Sequence, residues 1–430
     1  MEALARALRS AHSSTIAVVL CSVASLTGCS VADEREGASA NGGSGSGSAA
    51  GSTGAAGSAQ SSAGAGGNGG GGTSAGTAGA AGTAGAAGTG EPPAGPISAR
   101  VASWPENRPA AYSIIHDDTA PWLSSHFETA GPELLAAGLV AAFGVIVNDC
   151  NSGEAWPSVQ ALKDQGHEII NHSWDHTGAT SLADLALQMD QAGATIDASL
   201  TDQKTSFFIF PYDDHDPPAL EHLRALGYLG ARAGTYGGIT SPDYGDDFAL
   251  SFDVFGPASS MYGETGPCAG QTADAPLDFT EGCRRYVLNQ YVDDAISQGG
   301  WGMREFHGVE DTSWQSVPLA DYQSHLTYVK AKKDAGLVWV DTPSNIIRYR
   351  RARAACAPLI QDYALKFLPL SVECQSFMRP LDVVITVHQG PMNALDVVQN
   401  GMTLPATSLG GGSFVVRLDP SLGDASVLAR

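Results

Sequence analysis

The chain has 430 residues and a formal charge of −22, from 45 acidic and 23 basic side chains. That acidic balance argues against nucleic acid and other anionic polymers as partners. Glycine is abundant, 52 residues in all, and much of it lies in one N-terminal tract that cannot contribute to a core, so the folded part is shorter than the chain.

Arg6 and Arg9 form a basic start, and Thr15 to Leu26 is a mostly apolar run too short to span a bilayer as a stable helix. Residues 1–28 therefore read as a signal peptide. The run ends in Leu26-Thr27-Gly28-Cys29, which resembles the lipobox of bacterial lipoproteins. The resemblance implies cleavage before Cys29, a lipid on that residue and export to the cell envelope, with Ser30 pointing to the outer membrane. Loss of Glu2, Arg6 and Arg9 with the signal leaves a mature charge of about −23. Residues 29–97 read as a disordered linker, since Asn41 to Gly90 is almost entirely Gly, Ala, Ser and Thr. Roughly fifty such residues span about 40 Å as a flexible coil. The phosphate-loop-like glycine patterns in this tract are products of low complexity.

From Ala110 onward, short apolar runs alternate with longer amphipathic ones, the rhythm of a strand-helix repeat around a largely parallel sheet. Strands are expected at Ala111 to Ile115, Ala142 to Val147, Glu168 to Asn171, Ser206 to Phe210, Tyr228 to Arg232, Ala249 to Val254, Met303 to Phe306 and Val338 to Val340. Helical spacing marks Trp122 to Ala137, Trp156 to Gln165, Leu182 to Leu200, Pro217 to Leu226, Tyr286 to Gln298 and Leu319 to Ala335. Asp216 before Pro217 reads as an N-cap with proline at the first helical position. The expected fold is α/β: a distorted (β/α) barrel of seven to eight strands over residues 98–354, followed by a small all-β appendage over 355–430. Pro380 to His388 and Ser413 to Leu418 supply strands of that appendage, which either extends the barrel's packing or binds carbohydrate.

In such a barrel, chemistry sits just past the C-terminal ends of the strands. Asp117, Asp118, His172, Tyr212 and His307 all fall there. Two histidines four apart, His172 and His176, converge on one ion if the turn between them is helical, and Asp118 is a hard third ligand suited to zinc. Three protein ligands leave a position open for water, on which Asp117 can act as general base. Neighbouring strand residues point to opposite faces, so both Asp side chains reach one site only if the chain bends at Asp118. His167-Glu168-Ile169-Ile170-Asn171 is close to a zinc-protease motif, but Asn171 stands where the second ligand belongs and the segment reads as a strand.

Five cysteines remain beyond the anchor: Cys268 and Cys283, Cys356 and Cys374 are the locally closest pairs, with Cys150 left over. His126, His167, His215, His222, His325 and His388 read as ordinary core or surface groups, while His116 could support the site from behind. Asp213, Asp214 and Asp216 suit a helix start better than a calcium site. Trp174 and Trp314 could stack on sugar rings, whereas Trp301 reads as core.

Over roughly 98–350 the chain resembles the polysaccharide deacetylases of the NodB-homology type, carbohydrate esterase family four. Asp117-Asp118 is similar to the family's first motif, His172 to His176 to its second, Phe210-Pro211-Tyr212 to its third and Phe306-His307-Gly308 to its fifth. Trp314, Pro318, His325 and Leu337 to Asp341 are similar to the family's barrel closure. The resemblance implies Asp117 as catalytic base, His307 as general acid and Asp118, His172 and His176 as ligands of one divalent metal: zinc first, with cobalt, nickel or manganese as alternatives. It implies oxyanion contacts at Pro211 and the Tyr212 amide, and an acetylated polysaccharide or peptidoglycan-like substrate, N-acetyl in preference to O-acetyl. Two places depart from the pattern: Thr119 replaces a glycine, and Ile209 replaces the arginine that orients the base, a role Arg232 can take if it reaches Asp117. Asp311 and Asp341 are candidates for the Asp that tunes the acid histidine. The competing readings are a non-catalytic carbohydrate-binding or surface-interaction lipoprotein on the same scaffold, and a metal hydrolase of a non-sugar amide.

Overall fold

The computed structural model describes residues 96–178, 181–243, 245–256, 266–271, 279–388 and 394–429. The signal run, Cys29 and the Gly/Ala/Ser/Thr tract lie outside the described residues.

Runs rich in β-branched and aromatic residues form nine strands in the first part of the chain. They are β1 (Ile97–Val101), β2 (Ala110–Thr119), β3 (Ala142–Val145), β4 (Glu168–Asn171), β5 (Phe207–Ile209), β6 (Gly230–Tyr236), β7 (Leu250–Val254), β8 (Trp301–Phe306) and β9 (Val338–Val340). β2 to β9 make one sheet in the order β3-β4-β5-β6-β7-β8-β2-β9, with β3 also pairing β2. Every pairing within it is parallel. β2 manages both contacts along one edge: Ala110 to Tyr112 pair with β9, and Ile115 to Thr119 pair with β3. The expectation of seven to eight strands is thus met by seven that close the ring and an eighth beside the start of β2. Helices cover the outside, which is why β2 is buried almost throughout rather than on alternate residues.

The helices follow the expected places with two additions and one change. Val147–Ser152 and Pro343–Ala355 are further helices. The second was hidden by its arginines, three of which are neutralised by Asp247 and Asp243. The helix expected from Trp122 begins only at His126, as a π turn leading into Gly131–Ala137. Asp216 caps Pro217–Ala225 by accepting from the Ala219 amide, as its sequence context requires.

Beyond the barrel lie β10 (Leu359–Gln361), β11 (Ala364–Lys366), β12 (Leu381–Val387), β13 (Leu395–Gln399), β14 (Met402–Leu404), β15 (Ala406–Gly410), β16 (Ser413–Leu418) and β17 (Ala425–Ala429). They form two antiparallel sheets, β1-β12-β16-β15 and β10-β11-β17-β13-β14. Two details differ from the expectation. The stretch 97–101 does not enter the barrel but pairs antiparallel with β12, Ile97 opposite Val387, and the appendage includes a helix, Val372–Phe377. Its apolar side chains continue the barrel core: Ile115, Phe207 and Trp301 belong to the same buried cluster as Ile347, Leu365, Leu381 and Val416. Cys268–Cys283 and Cys356–Cys374 are disulfides, and Cys150 is free and buried.

Candidate metal centre and active site

The C-terminal ends of β2, β4, β5, β6 and β8 surround one cavity of about 470 Å³. β2 brings two adjacent carboxylates to it by leaving regular geometry: Asp118 has φ 63°, and the β2–β3 register shifts between His116 and Thr119. This is the bend that two neighbouring Asp side chains need in order to face one site.

After β4, His172 and His176 converge, but not on a helical turn. The segment is irregular, with Ser173 at φ 72° and His176 at φ 59°. These left-handed residues replace the expected helical turn, and side chains within and beyond the segment hold them in place. Asn171 accepts from the Ser173 amide (2.8 Å), and Ser173 Oγ accepts from the His176 amide (3.0 Å). Gln188 accepts from the Trp174 amide (2.9 Å) and donates to Asp175 (2.7 Å).

The donor atoms lie close together. Asp118 Oδ1 is 3.2 Å from His172 Nε2 and 3.1 Å from His176 Nε2, near the roughly 3.4 Å separating ligands that each sit about 2.1 Å from a tetrahedral ion. His172 Nδ1 faces the Ile209 carbonyl at 3.1 Å. A carbonyl only accepts, so the hydrogen of a neutral imidazole is on Nδ1 and the Nε2 lone pair points at the carboxylate. Two lone-pair-bearing atoms at that distance suit a cation between them, so this donor set fits a divalent metal. Burial disfavours the Asp118 carboxylate; a protonated His172 outweighs this and holds the group well below the usual carboxylate range, and with neutral His172 a cation among the donors would act in the same direction.

Asp117 is turned to the other side of the site. Arg232 grips it with both terminal nitrogens, Nη1 to Oδ1 at 2.8 Å and Nη2 to Oδ2 at 2.7 Å. Burial would raise the Asp117 carboxyl, but the Arg232 guanidinium leads the opposing effects and keeps it ionised. The contact that the replacement at position 209 called for is therefore supplied by the next strand. The same guanidinium also bonds Asp213 (2.7 Å), lies 3.3 Å from Glu305 Oε2 and stacks 4.6 Å over the Phe252 ring. Tyr236 donates to Asp213.

His307 follows β8, with Nε2 3.7 Å from Asp118 Oδ2 and 3.8 Å from Glu305 Oε1. Burial pulls its pKa below the ordinary value despite Asp117 and Asp118. Neither expected tuning residue reaches it. Asp311 is bound to Ser125 and Ser313, Asp341 to Thr342 and Asn345, and His307 Nδ1 is buried without a partner among the described residues. The carboxyl beside His307 is Glu305, which burial, together with Asp117 and Asp213, pushes well above the usual range. Behind the site, His116 Nδ1 and His126 Nε2 both contact the His307 carbonyl, at 3.0 and 2.9 Å.

Pro211 and Tyr212 follow β5, with Tyr212 at φ 57° and its ring 4.7 Å from that of His176. Tyr212, Tyr236 and Trp314 give the cavity an exposed aromatic rim. Trp301 is core, and Trp174 is half-buried against the outer apolar layer. Of the acidic cluster, Asp216 is the cap and Asp213 serves Arg232. Sequence reasoning missed Asp213, Tyr236 and Glu305. Only Glu305 carried a signal: it lies two residues before His307 and so faces the same side of β8.

Residues 108–231 match the polysaccharide deacetylase family model. Three solved structures show a likeness to parts of the chain. A family 4 acetyl xylan esterase from Clostridium thermocellum in complex with cobalt is 16% identical with TM-score 0.34, over 55% of this chain and 89% of the other. The Xyl-CE4 domain of a multidomain xylanase from the hindgut metagenome of Trinervitermes trinervoides is 14% identical with TM-score 0.35, over 55% and 89%. A CE4 family pseudoenzyme from Bacillus anthracis is 13% identical with TM-score 0.35, over 56% and 66%. No curated protein matches.

Proposed function

We propose that the polysaccharide deacetylase domain of this chain is an active hydrolase that removes acetyl groups from a polysaccharide with one divalent metal held by Asp118, His172 and His176. The observation that carries this reading is the junction of two devices in one cavity: a three-residue donor set, and an ionised Asp117 clamped by Arg232 with Oδ2 3.9 Å from His172 Nε2. A non-catalytic scaffold has no need to fix a buried carboxylate beside that donor set.

When bound, the metal would supply Lewis acidity toward the acetyl carbonyl and lower the pKa of water. Asp117, kept anionic by Arg232, is placed to accept the proton that attacking water must lose. The Tyr212 main chain, which follows Pro211 at the cavity wall, is our candidate to hold the negative charge that develops on the carbonyl oxygen. His307, in the imidazolium form that Asp117 and Asp118 favour against burial, delivers a proton to the leaving nitrogen or oxygen as its bond to the acetyl carbon breaks, and acetate departs. A positioned acid favours N-acetyl over O-acetyl substrates, because an amine leaves only after protonation. Two imidazoles and a carboxylate suit zinc, with cobalt, nickel and manganese as alternatives. The lipobox-like Leu26 to Cys29 supports export and anchoring of this activity at the cell envelope, on its outer membrane.

Acetate release from chitin oligomers, peptidoglycan and acetylated xylan tests the reading. Asp117→Asn should lose at least about 100-fold in turnover with its metal retained, whereas His172→Ala should lose the metal itself. Full activity in D117N would remove Asp117 as the base. A metal-loaded protein that releases acetate from none of the three substrates would overturn the deacetylase assignment.

A further inference from the structure

β2 and β8 lie side by side, Ala111 to His116 against Trp301 to Phe306. β2 itself and the loop that leaves β8 border the catalytic cavity, and the chain that follows each strand lines a second one of about 400 Å³, from Trp122 to Thr129 on one side and Val309 to Ser313 on the other. The loop after β8 continues into Trp314, whose ring stands edge-on to His307 at 4.7 Å and lines the catalytic cavity. One short segment therefore borders both spaces, so a chain-like ligand seated over the metal centre can cross Trp314 into the second cavity.

The lining of that cavity has a particular chemistry. Trp122 is 59% exposed, a costly place for a large aromatic side chain, and its position is set by donation from Nε1 to Asp149 at 2.8 Å. Around it Ser124, Glu128, Glu310 and Thr312 are all exposed. A fixed aromatic surface beside short hydroxyls and carboxylates matches a pyranose ring, which has an apolar C–H face and a rim of hydroxyl groups. Glu128 and Glu310 already accept from Ser124 and the Leu319 amide but keep lone pairs for sugar hydroxyls, and with the half-buried Asp311 they repel uronic acids or phosphate.

We propose that this cavity is a second sugar-binding subsite that takes one ring of an uncharged glycan, stacked on Trp122, while other units of the same chain occupy the catalytic cavity. The proposal rests on the deacetylase reading for the identity of the polymer but not for the binding itself.

The test is calorimetric titration of wild-type, Trp122→Ala and Trp122→Phe proteins with the hexamers and dimers of N-acetylglucosamine and of xylose, with acetate release measured in parallel. Wild-type protein should bind at least one hexamer more tightly than its dimer. W122A should weaken that hexamer by about fivefold or more and leave the dimer unchanged, and W122F should stay close to wild type. Equal hexamer affinity in W122A and wild type, or no preference of the wild type for any hexamer, overturns the subsite. Trp122-dependent binding by a metal-loaded protein that releases acetate from none of chitin oligomers, peptidoglycan and acetylated xylan keeps the subsite and sinks the deacetylase reading. Acetate release with the same KM in W122A and wild type does the reverse.

Discussion

Ile209 and Arg232 are partners in register on adjacent parallel strands, so their side chains share one face of the sheet. The guanidinium that the family pattern places at position 209 has moved across a single strand spacing and still reaches Asp117. Ile209 meanwhile is fully buried, close enough that a side chain at Gly144 would meet its Cδ1 at 3.1 Å and His172 Cβ at 3.2 Å. Removal of Arg232 would leave Asp117, Asp213 and Glu305 without their cation, so Arg232→Ile should cost at least about 100-fold in kcat and roughly 3–5 kcal/mol of stability. In the exchange I209R/R232I, kcat should recover at least about tenfold over R232I, because an arginine at position 209 faces the same side of the sheet. No recovery in a folded double variant would show that the position on β6 matters beyond the charge it carries. At this scale the candidate ligands and candidate base could be picked out from their places after strands. Glu305, Asp213 and Tyr236 stayed hidden because single carboxylates and phenols in strands and loops have no diagnostic spacing. The left-handed Ser173 and His176 stayed hidden because nothing local demands that conformation.

Helices and strands were more legible than side-chain partners. Eight barrel strands stood out because parallel strands under helices are apolar on both faces. Strand β1 did not, since its partner β12 is nearly the whole described chain away and gives it no local pattern. Packing has also sealed histidines into elements. His325, inside Leu319–Asp334, bonds Tyr112 and Asn289, and burial lowers its pKa to about 3. Burial likewise lowers His167, just before β4, to about 4. Both folded values lie below the unfolded value near 6.5, so the unfolded chain binds more protons between those limits. Their stabilising effect is complete above about pH 7 and falls as the pH drops through 6.5. Between pH 7 and 5 each should cost about 1–2 kcal/mol. Urea midpoints at the two pH values should therefore fall less steeply in His325→Gln than in wild type. An unchanged slope would mean that His325 titrates normally in the fold.

For the molecule as a whole, the sequence foretold a barrel with a β-rich addition but not how closely the two are joined. Apolar residues of the barrel interior and of the terminal sheets form one buried cluster, and β1 binds the start of the barrel segment to β12. That continuity was not legible because a core shared between distant segments leaves no periodicity in either. It gives a firm base to a rim where left-handed residues at Asp118, His176 and Tyr212 aim side chains into one cavity, with the buried, left-handed Ser173 holding the His176 amide from behind. The central claim is that this rim works as a one-metal hydrolase. The most direct measurement strips the protein with a chelator and titrates Zn2+ back while acetate release is followed. Activity should vanish on stripping and return in proportion to added metal, reaching its plateau at one equivalent per chain. Full acetate release from protein that retains no metal would contradict the account.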